Sequence, residues 1–297
     1  AEFRKAIAHM LNHQRGMQVN EHAVCITRGS QMAMYLTAQC LLRTGDFVMV
    51  ENPGYQPAWK AFEHAGAQLL PVRVDAEGLV TEDVIGYPKT HKTIRALYTT
   101  PHHQYPTTVT LSLQRRMELV RLSNEYGFMI IEDDYDNEFH FAQRPILPIC
   151  SHDVIRNYVY IGTLSKIVAP ALRIGYIVSN YDLIKRVGEH RKMIDVQGDN
   201  IMEEAILQLI NEGEIKRHLK RTTLIYKSRR DFFEAVCKKY LKGKASYHKP
   251  EGGLAFWIVP NEEVDVSEVA EKLLEKGIKI LSPEHFSFDK PIRGFRL

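Results

Sequence analysis

The chain has 297 residues, 44% hydrophobic and 25% charged, an ordinary globular composition at a length that favours two packed units over one core. Its formal net charge of +3 is too small to argue for nucleic-acid binding by field alone; no apolar run approaches bilayer-spanning length, and AEFRKAIAHML lacks the form of a secretory signal. Cys25, Cys40, Cys150 and Cys237 lie far apart with no CxxC pair and no histidine at zinc-finger spacing, which predicts a reduced, cytoplasmic setting.

Both ends read as cut, since the chain opens inside a helical pattern and closes at GFRL within an apolar segment. Between them, VCIT (24–27) is a strand leading through Gly29 into the helical SQMAMYLTAQCLLR, with Gly45 as the stop. FVMV (47–50) leads through ENPGY into QPAWKAFEHAG. LLPVRV (69–74) and IRALYTT (94–100) are further strands. Ser112 caps a helix expected to carry Leu113, Met117 and Val120 on one face and to end at Gly127. FMIIEDD and YVYIG complete the strand set. Such alternation predicts an α/β layer structure with a largely parallel sheet, whose ligands gather at the carboxyl ends of the strands. From Tyr181 onward the pattern turns to long charged helices, then to GGLAFWIVP, the helical VSEVAEKLLEKG and the short IKIL, a smaller α+β unit. In KRHLKRTTLIYKSRR the apolar Leu219, Leu224 and Ile225 recur at helical spacing, so this basic run is a solvated helix face rather than a nucleic-acid patch.

Three segments carry chemistry. GTLSK places Thr163, Ser165 and Lys166 in a turn after a strand, with Arg173 seven residues beyond the lysine. A phosphorylated aldehyde would account for all four: hydroxyls and guanidinium on the phosphate, the lysine amine on the carbonyl carbon. RGSQ supplies a second anion site, where Gly29 permits close backbone approach and a helix start presents unpaired N–H groups. IIEDDYD clusters Glu132, Asp133, Asp134 and Asp136. A hard cation would suit such carboxylates, but side chains along a strand alternate between faces, so only part of the cluster can converge. Asp133 and Tyr135 share one face and suit a heteroaromatic ring, acid on a ring nitrogen and phenol on a ring oxygen. Asp134 and Asp136 are expected to cap a helix or pair with surface arginines.

Taken in order, ITRGSQ, ENPGY, TPHHQYP, IEDDYDNEF, GTLSK…PALRIGY and the final FRL closely resemble the fold-type I pyridoxal-5′-phosphate (PLP) aminotransferases. HQYP, EDDYDNEF and the IKRHLKR…YKSRRDFF helix look most like the aminotransferase-like domain of MocR-type (GntR-family) transcriptional regulators. The resemblance implies a large PLP-binding α/β domain over 17–195, a connecting helix over 196–235 and a small domain over 236–297, joined by segment 1–16. It also implies that Lys166 forms the Schiff base with the cofactor, Asp133 pairs with the pyridine nitrogen and Tyr135 with the phenolic oxygen O3′. Tyr55 would stack on the ring. Gly29, Ser30, Gln31, Thr163, Ser165 and Arg173 would hold the phosphate, and Arg296 the α-carboxylate of a substrate. Tyr105 stands where free enzymes usually have an asparagine that contacts O3′, and Thr108 where a glycine is usual. His103 and Gln104 accompany that motif; His102 is expected to be a loop residue. A homodimer is implied, with no metal site. Two functions follow: the sensing domain of a regulator that binds an amine, an amino acid or PLP itself, touching DNA only through a domain outside this chain, or a free-standing aminotransferase.

Overall fold

Strand and helix alternate through the first two-thirds of the chain. Helix α1 (Glu2–Arg15) precedes β1 (Val24–Thr27) and α2 (Gly29–Leu41), followed by β2 (Phe47–Asn52), α3 (Gln56–His64), β3 (Gln68–Asp75), β4 (Gly78–Leu79) and α4 (Thr81–Gly86). Then come β5 (Ile94–Thr99), α5 (Leu113–Tyr126), β6 (Met129–Asp134), β7 (Tyr158–Thr163) and β8 (Gly175–Val178). The remainder holds α6 (Tyr181–Ile194), α7 (Asn200–Asn211), α8 (Glu214–Tyr240), β9 (Ala245–Tyr247), β10 (Trp257–Pro260), α9 (Val266–Glu275) and β11 (Phe295–Arg296). This is a computed structural model, and it describes residues 1–141, 146–288 and 291–297.

Eight strands form one sheet in the order β1-β8-β7-β6-β5-β2-β3-β4. The central run from β3 to β7 is parallel, whereas β8 runs antiparallel to both of its neighbours. The α/β architecture with a mostly parallel sheet, expected from the sequence, is present. Its strands are buried on both faces because successive residues feed different layers. Val48, Val50, Tyr98 and Ile131 pack against α2, α3 and α6, whereas Met49, Leu97 and Ile130 pack beneath α5. Val24 and Ile26 lie under α1 and α7 with Phe3, Ile7 and Leu11. Each such side chain, fully buried, contributes about 1.5–3 kcal/mol.

Several expectations are corrected at this level. Ser112 does cap α5 by accepting from the Arg115 N–H, and the helix ends at Gly127 in the left-handed conformation. Its buried face, however, is Arg116, Leu119, Val120, Leu122 and Ser123, while Leu113 and Met117 are exposed. The buried arginine explains the shift. Arg116 donates to the carbonyls of Pro101, Leu111 and Leu147, so a polar residue takes a core position that apolar periodicity would deny it. Helix α2 stops at Leu41, short of Gly45. The long charged helix is broken at Gly213, φ 73°, into α7 and α8. Leu224 and Ile225 on α8 are exposed, as a solvated face requires.

Strands β9, β10 and β11 form a separate antiparallel sheet, packed by Phe256 and Ile258 against Cys237 and Phe233 of α8. The loop before β10 meets the loop after β6, where the Phe141 N–H donates to the Glu251 carbonyl and His140 bridges Gly252. All four cysteines are free thiols. Among the described residues no helix is long and apolar enough to cross a membrane.

Candidate functional site

The turns after β1, β2, β5, β6 and β7 open into one cavity of about 540 Å³, a volume suited to a small ligand. At one end are Ser30, Thr163, Ser165, Lys166 and Arg173; in the middle Tyr55, Tyr105, Asp133 and Tyr135; at the far end Arg296. The sequence-predicted residues thus converge, apart from Gly29 and Gln31, which do not line the cavity. The Gln31 side chain instead donates to the Pro57 carbonyl.

The hydroxyl-rich end is built by close backbone approach. Gly29 opens α2 at φ 80°, and a Cβ there would stand 3.0 Å from the Arg173 guanidinium. A Cβ on Gly175 would meet the Gly29 carbonyl carbon at 2.5 Å, so the α2 start lies directly against β8. Arg173 is itself left-handed (φ 51°) and donates to the Arg28 carbonyl. Thr163 donates to the Ile174 carbonyl at 3.0 Å and accepts from the Ser165 N–H at 3.1 Å, which fixes the turn that carries Lys166. The Ser165 hydroxyl is buried without a partner among the described residues, and Lys166 is exposed at the cavity. Two hydroxyls, a helix start and a guanidinium around one space suit a phosphate group.

In the middle, strand alternation sends Asp133 into the cavity and Asp134 to the opposite face. One Asp133 oxygen accepts from the Tyr98 hydroxyl at 2.8 Å; the other is buried with no partner among the described residues. Burial pushes the Asp133 carboxyl up to about 7, against the lowering effect of the Tyr98 hydrogen bond. Such a group is completed by a cationic N–H. Tyr55, its phenol raised by burial to about 12, stands edge-on to Tyr105 with centroids 5.1 Å apart. Tyr135 donates to the His103 carbonyl at 2.7 Å. At the far end Arg296 lies over the Tyr105 ring, 4.7 Å from its centroid, and donates to the Pro106 carbonyl and the Tyr135 hydroxyl. The site accordingly offers places for a phosphate, a protonated ring nitrogen, a carbonyl carbon and a carboxylate. Pyridoxal phosphate with an amino acid presents these four groups.

The other carboxylates have protein partners, although Asp136 also lines the cavity. Glu132 accepts the N–H groups of Ile149 and Cys150. Asp134 accepts from Tyr160 and pairs with Arg15 of α1, and Arg15 also holds Glu138 at 2.6 Å. That arginine is buried rather than on the surface, unlike the pairing expected for Asp134. Asp136 pairs with His103 at 2.7 Å, and both are buried beside Gly252 and Gly253. His102, expected in a loop, is buried and bonds the Ile146 carbonyl, with its ring pushed down to about 3 by burial. Gln104 donates to buried Glu51, which also accepts from Thr99 and Thr100, so that motif residue orders the loop carrying Tyr105. Tyr98, Glu51 and Arg15 escaped sequence reasoning. Each is a partner across strands or layers, and only register identifies it.

The profile of the family described as aminotransferase class I and II matches residues 1–295. An aromatic-amino-acid aminotransferase of Thermococcus litoralis is 28% identical over 98% of this chain and 71% of its own length. The probable rhizopine catabolism regulatory protein MocR of Rhizobium meliloti is 30% identical over 85% of this chain but only 50% of its own length. Among solved structures, a kynurenine aminotransferase of Pyrococcus horikoshii, crystallised with PMP, superposes with a TM-score of 0.92 at 28% identity, covering all of this chain and 74% of that one. With these likenesses and the donor set above, pyridoxal 5′-phosphate is the cofactor.

Proposed function

Because the chain belongs to the class I and II aminotransferase family, we propose that it is the effector-sensing domain of a MocR-type regulator, binding an amino compound on PLP. When bound, the cofactor supplies an aldehyde that condenses with primary amines and a ring that accepts electron density from the substrate α-carbon. Lys166 would hold the aldehyde carbon through its amine, and its Nζ would serve to move a proton at the ligand α-carbon. Asp133 would keep the ring nitrogen protonated, Tyr135 would turn its hydroxyl from the His103 carbonyl to the ring oxygen, and Ser30, Thr163, Ser165 and Arg173 would grip the phosphate. Arg296 would orient the ligand through its carboxylate, beside the apolar lining of Leu254, Ala255 and Leu297.

The observation that carries the sensor reading is Tyr105 in the cavity wall, edge-on to Tyr55 and beneath Arg296, where free enzymes usually have an asparagine. The chain spans about half of the MocR relative, and contact with DNA belongs to whatever else such a protein contains. The exposed apolar Met193, Ile194, Val196 and Ile201 around the α6–α7 junction support assembly as a homodimer. Two separate sheets support a large domain over 17–195 and a small one over 236–297. The test is a spectral titration of the PLP-loaded protein with amino compounds, alongside turnover with a keto acid. A spectral change with turnover far below ~10 s⁻¹ is expected. Ordinary turnover would favour the second reading, a free-standing aminotransferase, which the Thermococcus litoralis enzyme's match supports.

A further inference from the structure

The parallel pairing of β5 with β6 sets Tyr98 opposite Ile131, and Asp133 follows two residues later on the same face. Such a diagonal neighbour is within reach of an aromatic side chain but not of a short one. The Tyr98 ring is fully buried, edge-on to Phe62 at 5.6 Å, and its packing aims the hydroxyl along the strand at one Asp133 oxygen. Burial and the adjacent Asp133 carboxylate raise the Tyr98 phenol well above its ordinary value, so it stays a donor. That leaves one Asp133 oxygen unpaired at the cavity.

We propose that Tyr98 is a positioning residue for the cofactor, holding one Asp133 oxygen so that the carboxylate stays ionised and presents the other to the ring nitrogen. The proposal rests on the reading of Asp133 given above. An ionised carboxylate accepts from a pyridinium, whereas a protonated one has to give up its proton first. Asp133 already stands near 7 in its buried surroundings. A hydrogen bond to the charged form is what opposes a further rise.

The experiment measures PLP affinity by fluorescence quenching, and the pH midpoint of the bound cofactor's absorbance, in four proteins. These are the wild type, Tyr98→Phe, Asp133→Asn and the double variant. Tyr98→Phe keeps the ring and is expected to bind PLP at least about fivefold more weakly at pH 7.5 and to shift the midpoint. In the Asp133→Asn background the same change is expected to do nothing more. If Tyr98→Phe binds and titrates like wild type while Asp133→Asn loses the cofactor, the role of Tyr98 is overturned and the site reading stands. Equal losses from Tyr98→Phe in both backgrounds also overturn it, because they mean packing alone. If Asp133→Asn keeps full affinity, the site reading itself fails. Should the phenylalanine variant not fold, Tyr98→3-fluorotyrosine retains the donor and is expected to bind as wild type; a fivefold loss there overturns the proposal.

Discussion

Asp133 and Asp134 are adjacent on β6 and almost equally buried, yet their two sides of the sheet treat them in opposite ways. Under α1, Asp134 meets the Arg15 guanidinium. Burial opposes its ionisation, but the Arg15 guanidinium and the hydrogen bonds from Tyr160 and Asn137 hold its carboxyl below the ordinary value. On the cavity side the one hydrogen bond to Asp133 among the described residues comes from the neutral Tyr98 hydroxyl, and burial carries the carboxyl up to about 7. The difference is one cation. Where the chain supplies it, the carboxylate is architecture; where the chain withholds it, the partner comes from outside.

The strongest way to break this comparison is to remove the cation from the architectural side. Arg15→Met leaves Asp134 and Glu138 buried without their counter-charge and should cost about 3–5 kcal/mol of stability in denaturant unfolding. The PLP affinity of the protein that remains folded should be unchanged. If affinity falls as far as stability, the two sides are not separable.

Asp133→Asn is the converse. Losing one partner of a buried charge pair should cost about 2–5 kcal/mol of cofactor binding, read as a raised Kd. Asp134→Asn should weaken binding less while lowering the melting temperature. The reverse ranking would put the wrong carboxylate in the cavity.

Proton linkage gives a third test. Asp133 stands near 7 in the ligand-free fold against an ordinary carboxylate value of 3.8. Between about pH 4 and 7 the native state therefore holds more protons than the unfolded chain, and stability falls as pH rises through that window. Buried Glu138, also near 7, adds to the fall. Melting temperatures at pH 5 and 7.5 should show a smaller drop for Asp133→Asn than for wild type. An identical drop would remove Asp133 as a contributor. The smallest effect is expected from Tyr160→Phe, which removes a hydroxyl bonded to Asp134. About 1 kcal/mol of stability should go, with cofactor binding untouched.

Much of this site was legible in the sequence because its residues sit in local motifs. Lys166 and Asp133 could be placed from a turn after a strand and from period-two alternation. Their supports could not, since Tyr98 with Asp133, and Arg15 with Asp134, are separated in sequence and joined only by strand pairing or helix docking. The face of α5 was misplaced for a related reason. Apolar periodicity expects a hydrophobic stripe, whereas buried Arg116 is accommodated by three carbonyls that no pattern announces.

Thr108 has a consequence of another kind. It is held at φ 64°, its N–H donating to the Gln104 carbonyl at 2.7 Å, at a position where the motif usually has glycine. A β-branched residue in that conformation costs about 1–3 kcal/mol in the folded state. A glycine would escape that cost but would free the unfolded chain, giving back roughly 0.5–1 kcal/mol. The strain outweighs the entropic return, so Thr108→Gly should keep the turn and be neutral to stabilising by up to about 2 kcal/mol. A motif position can therefore drift in identity while its backbone shape persists, and a search by letters alone would overlook chains that have kept the turn.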